Sequence, residues 1–290
     1  YCVSSERLSG VFRTDLDGAV ARIEDAVAYA RQRSPEVLIR YTPEDTVRSP
    51  FENVVRAATA AVRAGADIIS IADTTGYMMP GTERDLGAYI ANLRAALHES
   101  GCEPRIAVHC HNDRGLALAN ALSAYRAGAD IIDASVMGLG ERCGIVDLAL
   151  LLAVLSIDHG FDRWNLECLP ELYRLVARHA GIDIYPLAPI VGRNAFTHCA
   201  GVHTHAAAIN PMHYESVSPE RFGRERTFSL DQMSGIASVR YALSRIGEDE
   251  EMADVVLTRV KEIGRQGKTV DLEELHYVVR SCRAAAELSA

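Results

Sequence analysis

The stretch Arg63-Ala64-Gly65-Ala66-Asp67-Ile68-Ile69 returns unchanged as Arg126-Ala127-Gly128-Ala129-Asp130-Ile131-Ile132, 63 residues further on. In each copy an amphipathic stretch ends at a glycine suited to a left-handed helix cap. An isoleucine-rich run follows, so the repeat reads as helix, turn and buried parallel strand. A barrel of eight strand–helix units occupies about 250 residues, roughly 31 per unit, which sets the two copies two units apart. Strand-like runs fall at 37–42, 67–72, 105–110 and 130–136, with helical periodicity at about 14–33, 51–64, 83–98 and 114–127. Such alternation predicts an α/β protein with a parallel sheet. Its even spacing favours a (β/α)8-type barrel over an open doubly wound sheet, whose glycine fingerprint is missing.

The rest of the chain bounds the reading. It has 290 residues, 48% hydrophobic and 24% charged, which fits one large domain plus a smaller one. A net charge of −9 without any basic stripe argues against nucleic acid or an anionic membrane as partner. The longest apolar run, 148–157, is closed by Asp147 and Asp158 and is too short to span a bilayer. Seven scattered cysteines without a C-x-x-C pair predict neither a disulfide framework nor a zinc knuckle. A reducing, cytoplasmic setting is therefore expected. Three regions are expected: a partial barrel at 1–160, a linker subdomain at 161–231 carrying His203 and Tyr214, and a helical domain at 232–290.

In barrels of this type chemistry gathers at the carboxyl ends of the strands. Those ends read Arg40-Tyr41-Thr42-Pro43-Glu44-Asp45, Ala72-Asp73-Thr74-Thr75-Gly76, His109-Cys110-His111-Asn112-Asp113 and Gly138-Leu139-Gly140-Glu141-Arg142. Histidines at i and i+2 on a strand face the same side. His109 and His111 can thus share a metal ion, or cap a core. Arg40 ends an apolar strand and needs an anion there. That anion is either Glu44 or Asp73 in a salt bridge, or a substrate carboxylate held with the hydroxyls of Thr42 and Thr74. Spacing alone leaves both pairs of readings open.

Taken in order, Thr42-Pro43-Glu44-Asp45, Ala72-Asp73-Thr74-Thr75-Gly76, His109-x-His111-Asn112-Asp113, Gly138-x-Gly140-Glu141-Arg142 and Gly201-Val202-His203 resemble the isopropylmalate and homocitrate synthases. These are metal-dependent barrel enzymes of the DRE-TIM metallolyase group. Glu141-Arg142-Cys143-Gly144-Ile145 and the linker residues Asn210-Pro211 and Tyr214-Glu215 lean towards homocitrate synthase. The resemblance implies an acyltransferase that condenses acetyl-CoA with a 2-oxo acid, the acyl group becoming alkyl on transfer. It implies a divalent metal (Zn, Mn, Co or Mg) on His109 and His111. Arg40 and Thr42 would hold the distal carboxylate of 2-oxoglutarate, and Thr74 the reacting carboxylate. His203, with Glu44 and Tyr214, would move protons, and a homodimer with exchanged domains is expected.

Two departures follow from the same resemblance. Its members carry Lys where this chain has His205, so specificity or regulation is expected to differ. Their opening L-R-[DE]-G-x-Q strand, source of a third metal ligand, does not occur here, and residues 1–5 match the end of a fourth strand. About three units, on the order of 90 residues, are thus expected either in a longer native chain or in a second polypeptide that completes the barrel. Rival readings are a synthase using phosphonopyruvate, phosphinopyruvate, oxaloacetate or 2-oxoisovalerate, and a non-catalytic half-barrel subunit.

Overall fold

The computed structural model describes residues 2–199 and 210–289. The chain divides into two compact units, Tyr1–Gly160 and Phe161–Ala290. In the first, strands β1 (Arg40–Tyr41), β2 (Ile68–Asp73), β3 (Arg105–Cys110) and β4 (Ile131–Ile132) form one parallel sheet in chain order. After α1 (Ser5–Gly10), helix α2 (Leu16–Arg33) leads to β1, and α3 (Phe51–Ala64), α4 (Leu86–Glu99) and α5 (Ala117–Arg126) link the strands in turn. β2 is buried at all six positions, the condition of a parallel strand covered on both faces. A second parallel pair, β5 (Ala134–Ser135) with β6 (Val146–Asp147), runs into α6 (Leu148–Ile157).

The repeated heptapeptide has a definite job. Arg31, on α2, donates from Nε and Nη2 to the Gly65 carbonyl at 3.2 and 2.7 Å, and from Nη2 to Asp67 Oδ2 at 2.6 Å. Arg94, on α4, does the same to Gly128 at 3.1 and 2.7 Å and to Asp130 at 2.5 Å. The two aspartates also accept the backbone N–H groups of Ile39 and Ile106, at 2.7 and 2.8 Å. Each copy thereby fastens a helix end to the start of the strand before it. Gly65, at φ +115°, and Gly128, at φ +99°, supply the left-handed turns. Side-chain caps start the helices: Asp15 accepts from Gly18, Asp85 from Ala88 and Asp147 from Leu150.

Two strands depart from the sequence reading. The run 37–42 yields only Arg40–Tyr41 as strand, with Val37 and Leu38 exposed, because β1 has β2 as its one ladder partner among the described residues. The run 130–136 breaks into β4 and β5, and Asp133 stands at the break.

The second unit opens with α7 (Leu169–Ala180), stopped by Gly181 at φ +66°. A short parallel pair follows, β7 (Thr197–His198) with β8 (Thr227–Phe228). Helices α8 (Ile236–Arg245), α9 (Ala253–Arg265) and α10 (Leu272–Ser289) then pack Val239, Leu243, Val256, Val260, Leu275 and Val279 into one apolar cluster. Among the described residues no helix is long and apolar enough to cross a membrane.

Candidate active site

A polar row crosses the sheet of the first unit, from Arg40 on β1 by way of Ser70 on β2 to His109 on β3 and Asp133 just after β4. Arg40 from β1 donates from Nη1 to Asp133 Oδ1 at 2.9 Å and from Nη2 to Asp133 Oδ2 at 2.5 Å. Its Nη2 also bonds the hydroxyl of Ser70 on β2, a fully buried residue. His109 on β3 places Nδ1 2.9 Å from Asp133 Oδ2. Register explains the meeting: Val108 pairs with Ile132 across β3 and β4, and the Asp133 N–H donates to the Val108 carbonyl at 3.0 Å, which brings Asp133 alongside His109. Burial works to raise the Asp133 pKa, but hydrogen bonds from His109 and Arg40 outweigh it and hold the carboxyl well below the usual range. The counterion of Arg40 is therefore Asp133, and neither of the two carboxylates weighed from spacing.

His111 lies just beyond the end of β3 and is buried, its ring centroid 5.1 Å from that of His109. The loop after β5 folds over it. His111 bridges Ile145, Asn112 donates to the Gly144 carbonyl at 2.9 Å, and Arg142 grips Asp113 with Nε and Nη2 at 2.7 and 3.0 Å. Arg142 also donates to the Thr74 carbonyl at 2.7 Å, tying this loop to the end of β2. Gly144, at φ +79°, admits no side chain, since a Cβ would fall 1.8 Å from the Gly138 carbonyl oxygen. Burial, helped by neighbouring His109, lowers the His111 pKa and favours neutral imidazole. Its Nδ1 is buried without a hydrogen-bond partner among the described residues. Two adjacent imidazoles, one with an orphaned nitrogen, suit a divalent metal. Among the described residues no group of three or more His, Cys, Asp or Glu is placed to hold one.

The remaining expected residues of this unit are placed as follows. Glu44 is exposed and ion-paired to Arg7 of α1 at 2.5 Å. Thr74 accepts the Asp45 N–H at 2.9 Å, and Thr42, half-buried, directly follows β1. Asp73 is fully buried and accepts the N–H groups of Tyr77 and Met78 at 2.6 and 3.0 Å. Burial raises its pKa, and its work is to hold the turn after β2. Asp45 takes a bidentate bond from Arg48 at 2.7 and 2.8 Å.

In the second unit Tyr214 is exposed and follows the short helix Pro211–His213. Next to it, half-buried Glu215 bonds His198 Nε2 at 2.8 Å and accepts from Nε and Nη2 of Arg226. His203 and His205 lie outside the described residues. Sequence reasoning passed over Asp133, Ser70, Arg7 and Arg226. For Asp133 a signal was present, a carboxylate in the middle of the isoleucine-rich run that starts at Asp130.

Residues 1–176 match the family described as HMGL-like, and residues 190–268 match the homocitrate synthase post-HMGL domain-like family. The homocitrate synthase of Pyrococcus horikoshii is 43% identical over 262 residues, covering 90% of this chain and 70% of that protein. That of Saccharolobus islandicus is 36% identical over 280 residues, covering 95% of this chain and 59% of its own length. The structure of hydroxymethylglutaryl-CoA lyase from Pseudomonas aeruginosa superposes with a TM-score of 0.51 at 21% identity, covering 63% of this chain and 62% of the lyase, a likeness of fold. The chain belongs to the HMGL-like family and, within it, to the homocitrate synthases, a group of acyltransferase-type enzymes.

Proposed function

We propose that the protein condenses acetyl-CoA with an anionic 2-oxo acid, 2-oxoglutarate, to give homocitrate. The observation that carries this reading is the row Arg40–Asp133–His109, which sets a guanidinium and an imidazole on one carboxylate at the mouth of the sheet. An isopropyl-bearing oxo acid would meet charge there instead of an apolar wall, whereas a distal carboxylate finds a fork of N–H donors. A divalent metal ion bound by His109 and His111 supplies Lewis-acid polarisation of the keto carbonyl.

The chain's own residues do the rest. Arg40, with Thr42, binds and orients the distal carboxylate, and Thr74 holds the carboxylate next to the reacting carbon. His203 takes part in the proton transfer from the acetyl methyl group, with Glu44 and Tyr214 as its assistants. A homodimer with exchanged domains, or a second chain, completes the site in this account. Release of free thiol from acetyl-CoA by the full-length protein, measured across a panel of oxo acids, tests the reading. It predicts the highest kcat/KM with 2-oxoglutarate. A best rate with 2-oxoisovalerate would overturn it, and a best rate with oxaloacetate or phosphonopyruvate would keep the anionic clamp but replace the substrate.

A further inference from the structure

We infer that Asp133 is a positioning residue that couples the substrate-tail arginine to the metal-binding histidine. The inference rests on the functional reading above and adds to it a residue and a coupling.

An ionised carboxylate only accepts hydrogen bonds. The 2.9 Å contact of His109 Nδ1 with Asp133 Oδ2 therefore fixes the proton on Nδ1 and leaves the Nε2 lone pair as the donor for a metal. Carboxylate–histidine pairs of this kind orient metal ligands and raise their basicity, and losing the outer carboxylate typically weakens metal binding about 10–100-fold. The same two oxygens receive Nη1 and Nη2 of Arg40. One side chain thus sets the tautomer of a metal ligand and the aim of the guanidinium three strands away on β1.

Asp133 can serve both because it stands where β4 gives way to β5, held by its own N–H to the Val108 carbonyl at 3.0 Å. Its side chain is 23% exposed and otherwise sheltered from water, so its bonds are screened less than those of a surface pair. A carboxylate arriving on Arg40 competes with Asp133 for the fork. Binding of the oxo acid's tail and binding of the metal are then linked, and by reciprocity each alters the other's affinity by the same factor.

The test uses full-length protein, with Mn(II) binding read by electron paramagnetic resonance of the free ion and oxo-acid kinetics measured separately. D133N is expected to bind Mn(II) at least about tenfold more weakly and to show a raised KM for the oxo acid. R40A is expected to raise that KM and to change Mn(II) affinity by less than D133N does, since His109 keeps its contact with Asp133. Unchanged Mn(II) affinity in D133N overturns the proposal. Wild-type Mn(II) binding by H109A, or an unchanged oxo-acid KM in R40A, would instead overturn the underlying functional reading. A further readout needs no variant: nitrogen-15 resonances of the metal-free protein should place the His109 proton on Nδ1. Finding it on Nε2 overturns the proposal whether or not D133N folds.

Discussion

The guanidinium of Arg94 meets the carboxylate of Asp130 at 2.5 Å, as that of Arg31 meets Asp67 at 2.6 Å one repeat earlier. The aspartates matter more than the arginines, because each also holds a backbone N–H at the start of the preceding strand. Removing Asp130 strands the Ile106 N–H, which costs about 1–3 kcal/mol. Removing Arg94 breaks a half-exposed pair, worth about 1 kcal/mol or less. Urea denaturation of full-length D130A and R94A should therefore give the larger loss for D130A; equal losses would contradict this reading of the repeat.

Gly144 is the tightest point of the loop that covers His111. With φ +79° and a Cβ that would sit 1.8 Å from the Gly138 oxygen, G144A must push the two backbone segments apart. The expected result is a loss of about 2 kcal/mol or more and a fall in activity. A melting temperature within error of wild type would show that the loop is looser than described.

In the second unit Glu215 gives a pH dependence with a definite sign. The hydrogen bond from Arg226 lowers its pKa, burial opposes this, and the bond with His198 adds to the lowering. The folded value thus lies below the unfolded one, near 4.3 for a free glutamate. Its contribution is fully present above the unfolded value and is lost as pH falls through the folded one. E215Q should lower stability at neutral pH by about 2 kcal/mol, with the gap to wild type closing as pH falls below the unfolded-state value and through the lowered folded one. A gap independent of pH would mean that shape, not charge, holds the network.

Much of the first unit was legible because its signals are local. The duplicated RAGADII segment marked two helix–strand joints, and the apolar runs marked β2 and β3, where burial favours apolar residues along most of each strand. The site was legible only in part. His109 on β3 and His111 just beyond its end stand two residues apart, a spacing visible in the sequence itself. The partner of Arg40 is 93 residues away and is fixed by the β3–β4 register, which no short-range pattern encodes. The same limit hid Arg7, 37 residues from Glu44, and Arg226, which clasps Glu215. The shortness of β1 was illegible for a related reason, since strand length depends on neighbours across the sheet.

The central claim is that Arg40 reads the distal charge of the oxo acid. The most direct measurement compares kcat/KM of wild-type and R40A full-length protein with 2-oxoglutarate and with 2-oxobutyrate, which lacks that charge. Loss of a charged hydrogen-bonding pair predicts a fall of about 10–100-fold for 2-oxoglutarate, with 2-oxobutyrate nearly unchanged. An equal fall for both substrates would contradict the account, because Arg40 would then support the fold and not the recognition of the substrate.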